Sequence, residues 1–401
     1  MRRDVGAKGT RAKPQAAAAR VAACGLALVG ILASTAHADP WPRHTIDNTS
    51  RGADGVRMMD VNGDGHLDIA TGWEEGGVIR VYLNPGHGKS KAPWPAVTVG
   101  RVKSAEDAVF VDLDQDGAVD VVSSCEGGTR TMYVHWAPKD KANYLDENAW
   151  TTEPIPATAG KQLWMFCLPM QIDGKHGPDL IVGSKGGDGA IGWLQAPADA
   201  RDLDRWRYHR LRDVGWIMSL IARDMDGDGD DDVLYSDRKG PKRGVGWLEN
   251  PGPARAGSLR PWTDHVIGAT DREVMFIDPQ PVAAVKAAEL IAFQRDANGA
   301  WQSRTIAYPP EMGGAKAVRV GDIDLDGRPD LVMTCEHATK PKSGVKWMSM
   351  SGGVGHDIAG PAGVKFDRIE LVDLDGDGDL DVITCEERDQ LGVIWYENPT
   401  R

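Results

Sequence analysis

The segment DVNGDGHLD at residues 60–68 returns as DLDQDGAVD at 112–120, DMDGDGDDD at 224–232, DIDLDGRPD at 322–330 and DLDGDGDLD at 373–381. Successive copies begin 52, 112, 98 and 51 residues apart. The two long intervals are each about twice a short one, so each should hide a worn copy. One is QIDGKHGPD at 171–179, followed by LIVGSKGG. The other lies within residues 274–293, where EVMFID and ELIAF keep the strands but not the aspartates. Five intact and two worn copies make seven units, and self-similarity at this period marks a repeat architecture.

Each unit reads as four strands. An apolar run leads into the acidic segment, as at 108–111, and a second leaves it, as at 119–123 or 380–384. A third carries aromatic residues into a turn (VYLNPG, GWLENPG, WYENPT). A fourth follows W-x-x-H-x-[IL], as in Trp206, His209 and Leu211 or Trp262, His265 and Ile267. β-Branched and aromatic residues between Gly, Pro and Asn turns support strands throughout. Four-stranded units of this period are propeller blades, which leave only short, protected edges. WPRHTI at 41–46 is a fourth strand standing before the first unit, while WYENPTR at the C-terminus ends on a third strand. The expectation is an all-β, seven-bladed β-propeller over residues 39–401, its ring closed by the N-terminal strand.

The acidic segments have the chemistry of calcium loops. Positions 1, 3, 5 and 9 are Asp60, Asn62, Asp64 and Asp68 in the first copy, and Asp112, Asp114, Asp116 and Asp120 in the second. They are Asp224, Asp226, Asp228 and Asp232 in the third, and Asp322, Asp324, Asp326 and Asp330 in the fourth. The last has Asp373, Asp375, Asp377 and Asp381. With a backbone carbonyl at position 7 each loop offers five or six hard oxygen ligands, and calcium takes roughly 6–8 in flexible geometry. Glycine at position 6 permits the sharp turn. About five structural Ca²⁺ sites are expected, because every ligand position is used within the loop.

Blade geometry separates these loops from the chemistry. Connections from first to second strand share one face with those from third to fourth, and the remaining connections share the other. The face opposite the acidic loops gathers candidate catalytic residues Glu336, His337, Glu386, Lys185 and Arg238. Candidate substrate contacts there are Glu75, Arg130, Trp164, Trp216, Lys239 and Arg388. Mixed charge beside tryptophan suits a small hydroxyl-rich ligand such as a carbohydrate or keto-sugar. Glu126, His135, Glu336, His337 and Glu386 form the candidate set for a catalytic Zn²⁺, which would keep one coordination position open. His44, His209, His265 and His356 fall on or near fourth strands and are expected to be structural. Cys125, Cys335 and Cys385 each precede a glutamate in matching contexts (SCEG, TCEH, TCEE) and are expected to be small buried residues at equivalent places.

Charge and the N-terminus bound the setting. The formal net charge is -13, which argues against nucleic acid as a partner, since phosphates demand a basic surface. Residues 2–20 carry six cations against Asp4, an apolar run follows at 21–34, and Ala36-His37-Ala38 offers an A-x-A cleavage site. That layout is a secretory signal peptide over residues 1–38. The run is shorter than the ~20 residues a spanning helix needs, so a secreted or periplasmic protein without a membrane span is expected.

The acidic repeats resemble those of the VCBS/FG-GAP repeat proteins, whose propeller is like that of integrin α-subunits. A narrower resemblance is to the propeller domain of fungal aldos-2-ulose dehydratase (1,5-anhydro-D-fructose dehydratase) and its bacterial relatives. It is carried by GWEEGG at 72–77, YVHWAP at 133–138, WMFCLPMQID at 164–173, WIMSLIARDMDGDGD at 216–230, SDRKG at 236–240, KAVRVGDIDLDGRPD at 316–330 and LDGDGDLDVITCEE at 374–387. The resemblance implies a zinc-dependent lyase that eliminates water from a keto-sugar at a cleft in the propeller. The cupin domains of the fungal enzyme have no counterpart in these residues. Two other readings stand beside it: a non-catalytic, calcium-dependent carbohydrate-binding or adhesion propeller, and a polysaccharide lyase.

Overall fold

A computed structural model describes residues 39–252 and 262–401. The leader expected over residues 1–38 lies outside them. Among the described residues no helix is long and apolar enough to cross a membrane.

Seven four-stranded antiparallel sheets form seven blades. Blade 2 is typical, with strands Ala105–Val111, Asp120–Cys125, Met132–Trp136 and Thr151–Pro154 in sequence order across the sheet. The first strands are Ala53–Met59, Ala105–Val111, Leu163–Met170, Ile217–Arg223, Val274–Asp278, Gly314–Gly321 and Phe366–Val372. Successive first strands pack side by side, and that of blade 7 packs back on that of blade 1. Blade 7 takes its outermost strand from the other end of the chain. Arg43–Asp47 pairs with Gly392–Tyr396, setting His44 opposite Trp395. The seven blades and their closure are as expected.

The W-x-x-H pattern now has a physical reason. The fourth-strand histidine lies opposite the third-strand tryptophan of its own blade and covers it. His265 stacks on Trp247 at 4.1 Å between ring centroids and His356 on Trp347 at 4.3 Å. His44 with Trp395 and His209 with Trp193 form looser versions at 4.5 and 4.9 Å. The motif's tryptophan ties down the preceding connection, because Trp206 Nε1 donates to the Ala200 carbonyl at 2.9 Å and Trp150 Nε1 to that of Tyr144 at 3.0 Å.

Blade 5 differs in detail from the sequence reading. ELIAF lies in the third strand, Glu289–Arg295, and the second strand is the short run Val282–Val285. Asp278 leads into a Pro-Gln-Pro connection, too tight to house a nine-residue loop, so the blade keeps four strands without any ligand positions.

Every first strand carries an irregularity of register near its start. In blades 2, 3, 4 and 6 one residue is left unpaired: Glu106, Met165, Met218 and Lys316. A bulge bends the strand and re-aims the side chain of the extra residue. Repeated around the ring, it builds the site.

Candidate functional site

The two faces of the ring differ in chemistry, and the five acidic loops occupy one of them. In all five, the position-1 aspartate accepts the amide of the position-6 glycine, at 2.9–3.1 Å. Those glycines, from Gly65 to Gly378, sit at φ between 82° and 98°, where a side chain would be strained. In blades 2, 4 and 6 the carboxylates of positions 1, 3 and 9 bring oxygens within 4.8 Å of one another. This all-oxygen donor set fits a hard cation such as Ca²⁺. Position 9 also has a second role. Asp120 accepts the amides of Leu113 at 3.1 Å and Ala137 at 2.8 Å, joining the loop to the turn after the third strand. Asp68, Asp232 and Asp381 make the same pair of bonds in their own blades.

At the opposite end of the first strands lies a cavity of about 230 Å³. Its inner ring comes from first-strand residues within or bordering the irregularities: Asp54, Glu106, Met165, Met218, Phe276, Lys316 and Asp367. A second ring comes from the end of each second strand. Glu74, Glu126, Lys185, Arg238, Lys286, Glu336 and Glu387 each follow a second-strand residue that pairs with the first strand ahead of its bulge. Five of these line the cavity directly: Glu74, Glu126, Lys185, Arg238 and Glu336. Phe166 and Phe276 also line it, meeting edge to face at 5.6 Å with the Arg368 guanidinium 5.4 Å from Phe276. One residue beyond the Glu106 bulge, Asp107 is held in a two-pronged ion pair by Arg57 at 2.8 and 2.7 Å.

The rings are electrostatically matched. Lys185 pairs with Glu126 and lies 3.4 Å from Glu106. Lys316 lies 3.3 Å from Asp367, and Lys365 pairs with Glu387. Burial pushes Glu106 above the usual carboxylate range; Lys185 opposes this, while Glu126 and Glu74 add to it. Burial acts in the same direction on Glu336, but the ammonium groups of Lys316 and Lys286 outweigh it and hold the carboxyl below the usual value. Three buried polar atoms of the lining have no hydrogen-bond partner: Glu336 Oε1, Asp367 Oδ1 and Trp216 Nε1.

The expected site residues separate into two groups. Glu336, Lys185, Arg238, Trp216 and Glu126 come together in the cavity. His337 is exposed beside it, its Nε2 3.6 Å from Glu336 Oε1. Trp216 is no open platform for a sugar, because Lys185, Arg238 and Lys239 crowd its indole at 4.5, 4.4 and 4.8 Å. Trp164 is a core residue, 1% exposed, with Nε1 donating to the Thr158 carbonyl. Glu75, Arg130 and Arg388 are exposed and do not line the cavity. Glu386 is taken up by structure, since its carboxylate accepts the amides of Val364, Lys365, Arg388, Asp389 and Leu391.

His135 also lies elsewhere. It is fully buried against Gly100 of blade 1, where a Cβ would overlap its ring, and it bonds Ser123 and Thr152 at 2.9 Å each. Burial pushes its imidazole down to about 3. The expected zinc set therefore does not assemble. The cavity lining holds no histidine, and zinc favours nitrogen and sulfur donors. The convergent carboxylates Asp54, Glu74, Glu106, Asp367 and Glu387 already face Lys185, Lys316 and Lys365. No step through zinc is derived for this chain.

Sequence reasoning missed Asp54, Glu106 and Asp367, whose places depend on bulges that leave no mark in the sequence. It also took Glu75 and Glu386 where Glu74 and Glu387 belong. The signal that finds them is a count: the second-ring residue is the sixth after the position-9 aspartate in blades 1, 2, 3, 4, 6 and 7.

Comparison with known proteins agrees with the architecture. An FG-GAP-like repeat family matches residues 60–123. No curated protein matches the chain. Among solved structures, the Dos1 propeller is similar at 10% identity, covering 90% of this chain and 94% of that one, with a TM-score of 0.50. An Agrocybe aegerita lectin, described as recognising non-reducing terminal N-acetylglucosamine, aligns at 15% identity over 88% of this chain and 81% of that one, with a TM-score of 0.40. The chain is thus similar to FG-GAP-repeat and propeller proteins in fold.

Proposed function

We propose that the cavity opposite the acidic loops binds a small keto-sugar and eliminates water from it, and that the acidic loops hold structural Ca²⁺. The observation that carries the reading is the pairing of opposite chemistries inside one small space. Glu336 is buried and ionised, with Oε1 free of hydrogen bonds, and it shares the cavity with Lys316, Lys185 and Arg238. Elimination beside a carbonyl needs a base for the acidic C–H and positive charge where the enolate develops. Glu336 supplies the base. The lysine and arginine heads supply the charge, in a site whose apolar floor of Phe166 and Phe276 strengthens it. At about 230 Å³ the cavity is below the roughly 300–1,000 Å³ of drug-sized sites, so a single sugar ring suits it better than a polysaccharide.

Bound calcium would neutralise the loop carboxylates and add folding stability by mass action; the lyase chemistry is assigned to the other face. The test is the growth of enone ultraviolet absorbance from 1,5-anhydrofructose, alongside calorimetric binding of the same compound. Turnover that Glu336→Gln abolishes supports the reading. Binding without turnover makes the protein a carbohydrate-binding module instead. Absence of both binding and turnover removes keto-sugars from consideration.

A further inference from the structure

We propose that Asp54 is the proton donor of this cavity and that Asp367 positions the proton on it. The proposal rests on the elimination reading above and names the acid that reading leaves open. Asp54 borders the irregularity of its first strand, Ala53–Met59, Asp367 lies within that of the neighbouring Phe366–Val372, and both line the cavity. Each has a carboxyl oxygen within 4.8 Å of the other's, in a buried cluster that also takes in Glu387. Like charges this close in a buried site disfavour double ionisation, and a proton on one of the pair relieves it.

The surroundings decide which. Lys316 reaches Asp367 at 3.3 Å, so the charge settles on Asp367 and the proton on Asp54. Lys365 and Glu387, which pair with each other, and Glu106 also face Asp54. Glu74 stands within 4.8 Å, and the buried Cys385 thiol approaches from the second strand of blade 7. Burial, then the charge of Asp367, pushes Asp54 well above the carboxylate range. On Asp367 burial is outweighed by the ammonium of Lys316, helped by the neighbouring Asp54 carboxyl and Lys365, and the carboxyl is held low. An independent sign that this space takes a ligand is Glu336, 8% exposed, whose Oε1 accepts no hydrogen bond, Lys286 Nζ and His337 Nε2 standing off at 3.5 and 3.6 Å.

Glu336 takes the proton from the carbon next to the carbonyl, and that electron pair becomes the new C=C bond. The C–O bond one carbon further breaks, and its oxygen takes the Asp54 proton and leaves as water. Glu336 is left protonated and Asp54 ionised; a proton passing between them through water restores both. Nothing is oxidised or reduced.

The experiment compares wild type, Asp54→Asn, Asp54→Glu and Asp367→Asn in their pH–rate profiles, with infrared spectra of the substrate-free proteins. Asp54→Asn should lower kcat roughly 10²–10⁴-fold, the usual worth of a general acid, and should lose one protonated-carboxyl band. Asp54→Glu, which keeps an acid there, should recover part of the rate. Asp367→Asn should move the alkaline limb to lower pH, because the like charge that holds the proton on Asp54 is gone. A purely structural role would lower kcat without moving the limb. An unmoved limb, or an infrared band unchanged in Asp54→Asn, overturns the proposal while leaving the elimination reading intact. No turnover by wild type with the Asp54 band present overturns the elimination reading, and the donor role with it.

Discussion

Blades 2 and 3 are neighbours with the same strands, yet they close their loops by different means. In blade 2 the aspartates at 112, 114 and 120 converge, and even there Arg201 leans in on Asp114 and Asp116. In blade 3 the position-1 residue is Gln171, whose Nε2 donates to the carbonyls of Gly177 at 2.8 Å and Lys175 at 3.2 Å. Gly177 is position 7, the carbonyl that a cation would draw inward. An amide NH₂ stands where the ion would be, and Lys175 Nζ lies 3.6 Å from Asp173. What both blades keep is position 9: Asp179 accepts the amides of Ile172 and Ala196 just as Asp120 accepts those of Leu113 and Ala137. The difference teaches that the loop has two separable parts, an ion-ready rim and a backbone clamp.

The largest test of that division is metal removal. Chelation should lower the melting temperature strongly, each saturated site contributing roughly 2.7 kcal/mol at a hundredfold excess over Kd. Metal analysis should find about five Ca²⁺ per chain, none from blade 3; unchanged melting would show the rims to be plain acidic turns. Next in size, Asp120→Ala and Asp179→Ala should each cost about 2–4 kcal/mol in denaturant unfolding, from two stranded amides. A mild Asp179→Ala beside a severe Asp120→Ala would mean that position 9 is a ligand first and a clamp second.

A smaller effect separates the blades in acid. His135 of blade 2 stands opposite Val121, one residue past position 9, and blade 3 has Leu194 opposite Leu180 at that place. The folded imidazole is pushed down to about 3, against roughly 6.5 unfolded. Below that value the unfolded chain takes up a proton that the folded chain refuses. Stability should therefore fall as pH drops from about 6.5, by up to ~1.4 kcal/mol per pH unit. His135→Leu should flatten that slope, and an unaltered slope would move its origin elsewhere. Smallest is Gln171→Ala, about 0.5–1.5 kcal/mol, the same with and without calcium.

Much of the fold was legible because repetition is a property of the sequence itself. Loop spacing yielded seven blades, and Trp41 to Ile46 before the first unit foretold the closure. Blade 5 was read less well, since the short strand Val282–Val285 has no aspartate to mark its start. The site was legible only in part. Cys-Glu recurs at 125–126, 335–336 and 385–386, so Glu386 appeared equivalent to Glu126 and Glu336. Blade 7 reaches its cysteine one residue sooner after position 9, which turns Glu386 onto backbone amides and brings Glu387 to the ring. Asp54 and Asp367 could not be found by pattern, because a bulge reverses the alternation that pattern reading depends on.

The closing strand has a consequence in time. Arg43–Asp47 precedes every other strand of the ring, yet its partner is Gly392–Tyr396. As the chain emerges from the ribosome, this first strand waits unpaired while nearly all the rest is made. Joining ends so far apart carries a loop-closure cost that grows only slowly with length, as about (3/2)RT ln n, but contacts of such long range fold late. The ring therefore finishes where it began, and trimming the residues before Ala53 should release blade 7 first.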